Sequence, residues 1–167
     1  MIKKILVVLL IAFIAIQFFH PAPNKAEGAQ INFVGNKYPM PEDVKDILAR
    51  ACYDCHSNNT RYPWYSKVQP FDWWITDHVK EGKREFNFDE YLSRSPRYQY
   101  NKIHEVAEQM EEHEMPLNSY LWIHKDAKLS EDEIKKVVNW TDGIRDSLEA
   151  HYPMDSLLRK KKSAPNK

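Results

Sequence analysis

Cys52, Cys55 and His56 are the residues of this chain whose types and spacing carry the most chemistry. In the stretch Cys52-Tyr53-Asp54-Cys55-His56, two thiols are separated by two residues and an imidazole comes directly after. That pattern is the attachment signature of a c-type haem. Each thiol would add across one vinyl group of the macrocycle, and the next residue would present its imidazole to the iron as proximal ligand. The chain has 2 cysteines, so a single covalently attached haem uses the whole thiol inventory.

Three other chemistries use the same residue types. A thioredoxin-like redox pair normally sits in a βαβ context, and the sequence shows no such alternation. A structural zinc site needs four protein ligands, and His104 and His113 are too widely spaced to complete one. A plain disulfide is compatible with an oxidising compartment, but the loop it closes would be short and strained. The histidine directly after the second cysteine favours haem.

The 167 residues predict one domain. A hydrophobic content of 43% with 29% charged residues fits a globular chain. The formal net charge of zero gives no reason to expect a nucleic-acid partner. Five Trp, nine Tyr and seven Phe suit a small core that must bury a large flat cofactor.

Residues 1–19 read as a targeting segment, a signal peptide or an uncleaved anchor. Lys3 and Lys4 precede an apolar run from Ile5 to Phe19 that is broken only by Gln17. The run has the length of a signal-peptide apolar region and is short for a full span. No small-residue cleavage site comes directly after it, which favours an anchor in the inner membrane through residues 5–19. The two lysines would then leave the rest of the chain in the periplasm. Residues 20–40, with Pro21, Pro23, Gly28, Gly35 and Pro39, read as a linker that holds the domain off the membrane.

The folded part is expected over 41–152, all-α, wrapped around one haem. Pro41, Glu42 and Asp43 start a helix whose stripe Val44, Ile47, Leu48 and Ala51 delivers Cys52 beside the core. Residues 57–74 read as loop for most of their length, with Trp64, Trp73 and Trp74 packed on the macrocycle or in the ordinary core. Arg61 is read as solvated, with a haem propionate as the alternative partner. A short helix from Trp74 to Glu81 is expected to end at Gly82. Another is expected at 89–94, with Pro96 as an interruption after it. Gln99 to Glu112 gives a helix with the stripe Ile103, Val106, Ala107 and Met110. Its other side carries Glu105, Glu108, Glu111 and Glu112, with Glu114 just beyond. These are read as a solvated face, or alternatively as a docking surface for a basic redox partner. After Met115-Pro116 and a loop to Lys128, Ser130-Glu131-Asp132-Glu133 forms a capping box. The helix it starts buries Ile134, Val137, Val138, Trp140, Ile144 and Leu148. Residues 153–167 read as a disordered basic tail.

These pieces together resemble class I c-type cytochromes. The shared parts are Cys52 to His56, Met115-Pro116, and Leu129-Ser130-Glu131-Asp132-Glu133-Ile134 with Trp140. The block CYDCHSNNTRYPWY resembles more closely the haem-binding domain family of bacterial envelope proteins. That resemblance covers roughly residues 38–150 and implies a single haem c in a cytochrome c-like helical domain. It also implies Met115 as the distal iron ligand, in the His/Met mode that suits electron carriers. Met110, His113 and His124 are the rivals for that position. The expected role is single-electron transfer to a periplasmic or membrane redox partner, not catalysis. The alternatives are a haem-based sensor or peroxidase-like enzyme with a labile distal site served by His78, His104 or His113, and a structural envelope protein stabilised by its haem.

Overall fold

The computed structural model describes residues 1–158 of the chain. Among them the regular structure is helical throughout, and the single β contact is an isolated bridge between Lys25 and Asn59. The expected all-α class therefore stands. The described residues divide into two compact units, one of 1–28 and 53–87, the other of 29–52 and 88 onward.

The second unit is a helical bundle with an apolar core. Helix α2 (Glu42–Ala51) starts behind Pro41 and buries Val44, Ile47 and Leu48, three members of the expected stripe. Helix α5 (Pro96–Glu111) packs on α7 (Glu131–His151). Pro96 does not interrupt this region as the sequence suggests. It occupies the first turn of α5, where no amide donor is needed, and Ser95 caps the helix by accepting from the Tyr98 amide. The capping box at Ser130 and Glu133 is present as expected. Glu133 also accepts from Arg50 Nη2 at 2.5 Å, and Lys136 Nζ lies 2.9 Å from Asp43 Oδ2. Both pairs pin α2 to the start of α7. Backbone and hydroxyl donors of Ser130, with Arg50, hold the Glu133 carboxyl below its usual range.

Between α5 and α7 the expected loop contains a short helix α6 (Asn118–Leu121) and a 3-10 turn at Lys125–Ala127. The packed region continues past residue 152. Helix α8 (Met154–Leu157) docks on α5, with Leu157 fully buried and its carbonyl accepting from Asn101 Nδ2 at 2.8 Å. The rest of the expected basic tail, 159–167, lies outside the described residues.

The first unit contains α1 (Ile2–Ile16), α3 (Tyr53–His56) and α4 (Phe71–Glu85). Helix α1 buries none of its residues. Its 15 residues span about 22 Å, against roughly 30 Å of bilayer hydrocarbon. No described helix is long and apolar enough to cross a membrane.

Residues 20–40 are not a loose spacer. Asn24 donates through Nδ2 to the Ser57 carbonyl and to Thr60 Oγ1, both at 2.9 Å. Its own side-chain oxygen accepts from Lys83 Nζ at 2.6 Å. Val34 and Tyr38 are buried in the second unit. The sequence shows the prolines and glycines of this segment but not the long-range partners that tie it down.

Candidate haem site

Cys52 comes directly after α2, and its amide donates to the Leu48 carbonyl at 2.9 Å. Cys55 and His56 lie in the single turn of α3, which packs on α4. That packing depends on Gly82. A Cβ built there would stand 2.8 Å from the Cys55 carbonyl oxygen and 3.1 Å from the Cys55 Cβ. Helix α4 runs through Gly82 to Glu85, so the glycine does not end the helix as the sequence suggests. It permits backbone-to-backbone approach at the second cysteine. The sequence offers glycine as a helix breaker or as a close-contact residue, and only the partner across the gap decides.

The His56 ring is set by the end of the same helix. Its Nδ1 lies 2.9 Å from the Phe86 carbonyl oxygen, and that oxygen can only accept, so Nδ1 carries the proton. Nε2 is left as the basic nitrogen of the neutral ring, the arrangement usual for a metal-ligating histidine. Burial lowers the His56 pKa, and the Phe86 and Gly82 carbonyls oppose that shift. A neutral imidazole is the form that binds metal.

The Cys55 thiol is pushed up to about 11 by burial, with the Asp54 charge adding to the shift. A redox couple and a zinc site both work through the thiolate, the form that burial disfavours at Cys55 when no metal is bound. Neither cysteine is in a disulfide. Among the described residues, no three of His, Cys, Asp and Glu gather as a metal cage. The donors at hand fit a metal that brings its own equatorial ligands, as haem iron does.

The turn after the motif is held by polar contacts. Asp54 accepts from the Arg61 amide at 3.0 Å and from its Nε and Nη2 at 3.1 and 3.2 Å. Arg61 therefore pairs with Asp54 while its side chain stays 62% exposed to solvent. Thr60 Oγ1 donates to the Asp54 carbonyl at 2.7 Å, and Asn87 Nδ2 donates to Asn58 Oδ1 at 2.8 Å. The buried side chains of this unit are mostly of this kind, including Asp54, Ser57, Thr60, Ser66, Gln69 and Asp72. Its only buried apolar side chains among the described residues are Val79 and Phe86. Trp64, Trp73 and Trp74 do not fill a core, being 80%, 42% and 44% exposed. A unit this poor in apolar interior would gain from an apolar cofactor the buried carbon surface that its own side chains do not supply.

The remaining candidates are dispersed. Met110 is 2% exposed in the α5 stripe, so packing already uses it. Met115 is half-buried beyond the helix, its amide donating to the Gln109 carbonyl at 3.1 Å. His113, at a left-handed φ of 57°, lies 3.5 Å from Glu131 Oε1. His104 lies 3.3 Å from Glu108, and His124 stacks on Tyr120 with centroids 4.1 Å apart. His78 Nδ1 donates to the Trp74 carbonyl at 2.9 Å. Trp74, His78 and Gly82, spaced four apart, share one side of α4.

Comparison with known proteins decides the family. The haem-binding domain family matches residues 11–143, most of the chain. The chain belongs to the haem-binding domain family. No curated protein and no solved structure matches it. The matched span includes Cys52 to His56, Gly82 and Met115.

Gly82→Ala should force α3 away from α4 at a cost of about 1–3 kcal/mol and lower the haem-to-protein ratio of purified material. Gly143→Ala, also within a helix but with nothing near its Cβ position, should instead gain about 0.5–1 kcal/mol. Thermal melts and haem absorbance distinguish the two. In a haem-free Cys52→Ser/Cys55→Ser chain, amide hydrogen exchange should accelerate strongly over 53–87 and little over 96–151. Equal protection of 53–87 with and without haem would show that the cofactor does not complete that unit.

Proposed function

We propose that this haem-binding protein is a mono-haem c-type cytochrome that passes single electrons in the periplasm, with His56 and Met115 as iron ligands. The observation that carries the reading is the His56 ring, fixed by the Phe86 carbonyl in the tautomer that offers Nε2 to a metal. Cys52 and Cys55 would hold the macrocycle by thioether bonds, which a protonated, buried thiol such as Cys55 can form without acting as a redox couple. When bound, the haem supplies an iron that accepts and returns one electron. The chain's part is to hold the axial imidazole, to restrict water and to keep the ligand set unchanged between the two oxidation states.

Met115 is favoured over Met110 because the latter is spent in the core. The rival histidines each have a carboxylate, a carbonyl or a ring beside them. A basic partner protein fits the loop that carries Met115. Residues 103–124 hold five glutamates and no Lys or Arg, and Trp122 and Ile123 stand exposed there at 75% and 57%. Opposite charge across such a surface mainly raises the rate of encounter. The Lys3-Lys4 start and apolar α1 support export, with α1 as a membrane tether, in the compartment where covalent haem attachment takes place.

The test is the absorption spectrum of the reduced, haem-loaded chain before and after carbon monoxide. The parent should be low-spin and indifferent to the gas, and Met115→Ala should bind it rapidly. A parent that binds carbon monoxide, or a Met115→Ala variant that stays low-spin, would remove Met115 from the iron. The first of these results would favour a sensor or enzyme with an open distal site.

A further inference from the structure

Helix α1 is apolar around its whole circumference beyond Lys3 and Lys4, yet its far end is not loosely joined to the rest of its unit. Gln17 and Gln69 exchange two hydrogen bonds, from the Gln69 amide to Gln17 Oε1 at 2.9 Å and from Gln17 Nε2 to the Gln69 carbonyl at 3.3 Å. The Phe19 carbonyl accepts twice, from Gln69 Nε2 at 2.7 Å and from Trp73 Nε1 at 2.9 Å. His20 Nδ1 lies 2.6 Å from Asp72 Oδ2. Gln69, at the centre, is fully buried.

This junction turns its polar groups inward and its rings outward. Phe18 and Phe19 are 81% and 67% exposed, and Phe71 and Trp73, in the first turn of α4, are 51% and 42% exposed. Aromatic rings whose polar atoms are already satisfied favour the boundary between hydrocarbon and headgroups. Helix α1 alone falls short of the hydrocarbon thickness, and a ring of aromatics at its end is what a short span needs to meet the interface. Trp73 lies nine residues before Gly82, which puts it about 180° around α4 from the side that meets Cys55. Trp73 therefore faces away from the haem motif, and Phe71, on the Gly82 side of α4, stands eleven residues or about 16 Å along the helix from it.

We propose that Phe18, Phe19, Phe71 and Trp73 form an aromatic collar seated in the headgroup boundary of a phospholipid bilayer, fixing this unit against the membrane instead of leaving it on a flexible tether. The proposal rests on the reading of α1 as a membrane tether and adds a rigid seat to it. The Gln17–Gln69 pair supplies the rigidity, because bending the chain at this point would strand the polar groups of the buried Gln69 away from water.

The test uses the full haem-loaded chain in phosphatidylcholine vesicles that carry a lipid with a photoreactive group at the top of its acyl chain. Peptide mass spectrometry then locates the cross-links. The collar should be labelled to the same degree as residues 13–16, and roughly tenfold more than Trp122, which is at least as exposed as Phe71 and Trp73, the contrast between interfacial and aqueous positions. Labelling of α1 with the collar at the Trp122 level overturns the seat and leaves the tether standing. Labelling of neither, or a mature chain recovered without residues 2–16, overturns both. Chain-to-chain cross-links through Phe71 or Trp73 in place of lipid adducts assign the rings to a second copy and overturn the proposal.

Discussion

The haem motif is held in place by a helix backbone at van der Waals range. Gly82 lets α4 lie directly against Cys55, and the carbonyl of Phe86, just past the end of the same helix, fixes the His56 ring. One element therefore sets both the second thiol and the His56 imidazole. Much of the remaining structure of that unit serves this contact. Asp54 and Arg61 close the turn after the motif, Asn24 and Lys83 tie the preceding segment to it, and Asn87 secures Asn58. Cys52 is fixed separately, at the end of a helix pinned to α7 by Arg50 and Glu133.

The two units differ in what stabilises them. The bundle of α2, α5, α7 and α8 buries Leu48, Ile103, Val137, Ile144, Leu148 and Leu157 and is an ordinary apolar core. The unit that carries Cys55 and His56 is built from hydrogen-bonded polar side chains, with Val79 and Phe86 as its small apolar interior. Each such hydrogen bond contributes only about 0.5–1.5 kcal/mol net, so a network of this kind gives direction more than stability. An apolar macrocycle attached at the motif would bury carbon surface where the chain supplies little. Held there, the cofactor would be a structural part of the unit as well as its functional group.

The bundle is legible in the sequence because its signals are local. The stripes of α2, α5 and α7 repeat at helical spacing, and the Ser130–Glu133 box lies within four residues. The motif Cys52 to His56 is legible for the same reason. Contacts between distant residues are not. Gly82 looks like a stop signal because nothing near it in sequence shows that Cys55 lies opposite, and Pro96 looks like a break because its role depends on the cap at Ser95. Residues 20–40 look like a spacer because Asn24 finds its partners more than thirty positions away. The tryptophans at 64, 73 and 74 suggest burial by their type alone, whereas the structure leaves each of them substantially exposed.

The central claim is that Cys52 and Cys55 carry a haem covalently beside His56. The most direct measurement is the intact mass of the chain, exported in a host with haem-attachment machinery and then denatured in acid. The account predicts a chain heavier by one haem, and a Cys52→Ser/Cys55→Ser chain without that increment. A parent chain at its bare polypeptide mass, or lighter by two hydrogens from a disulfide, would contradict it.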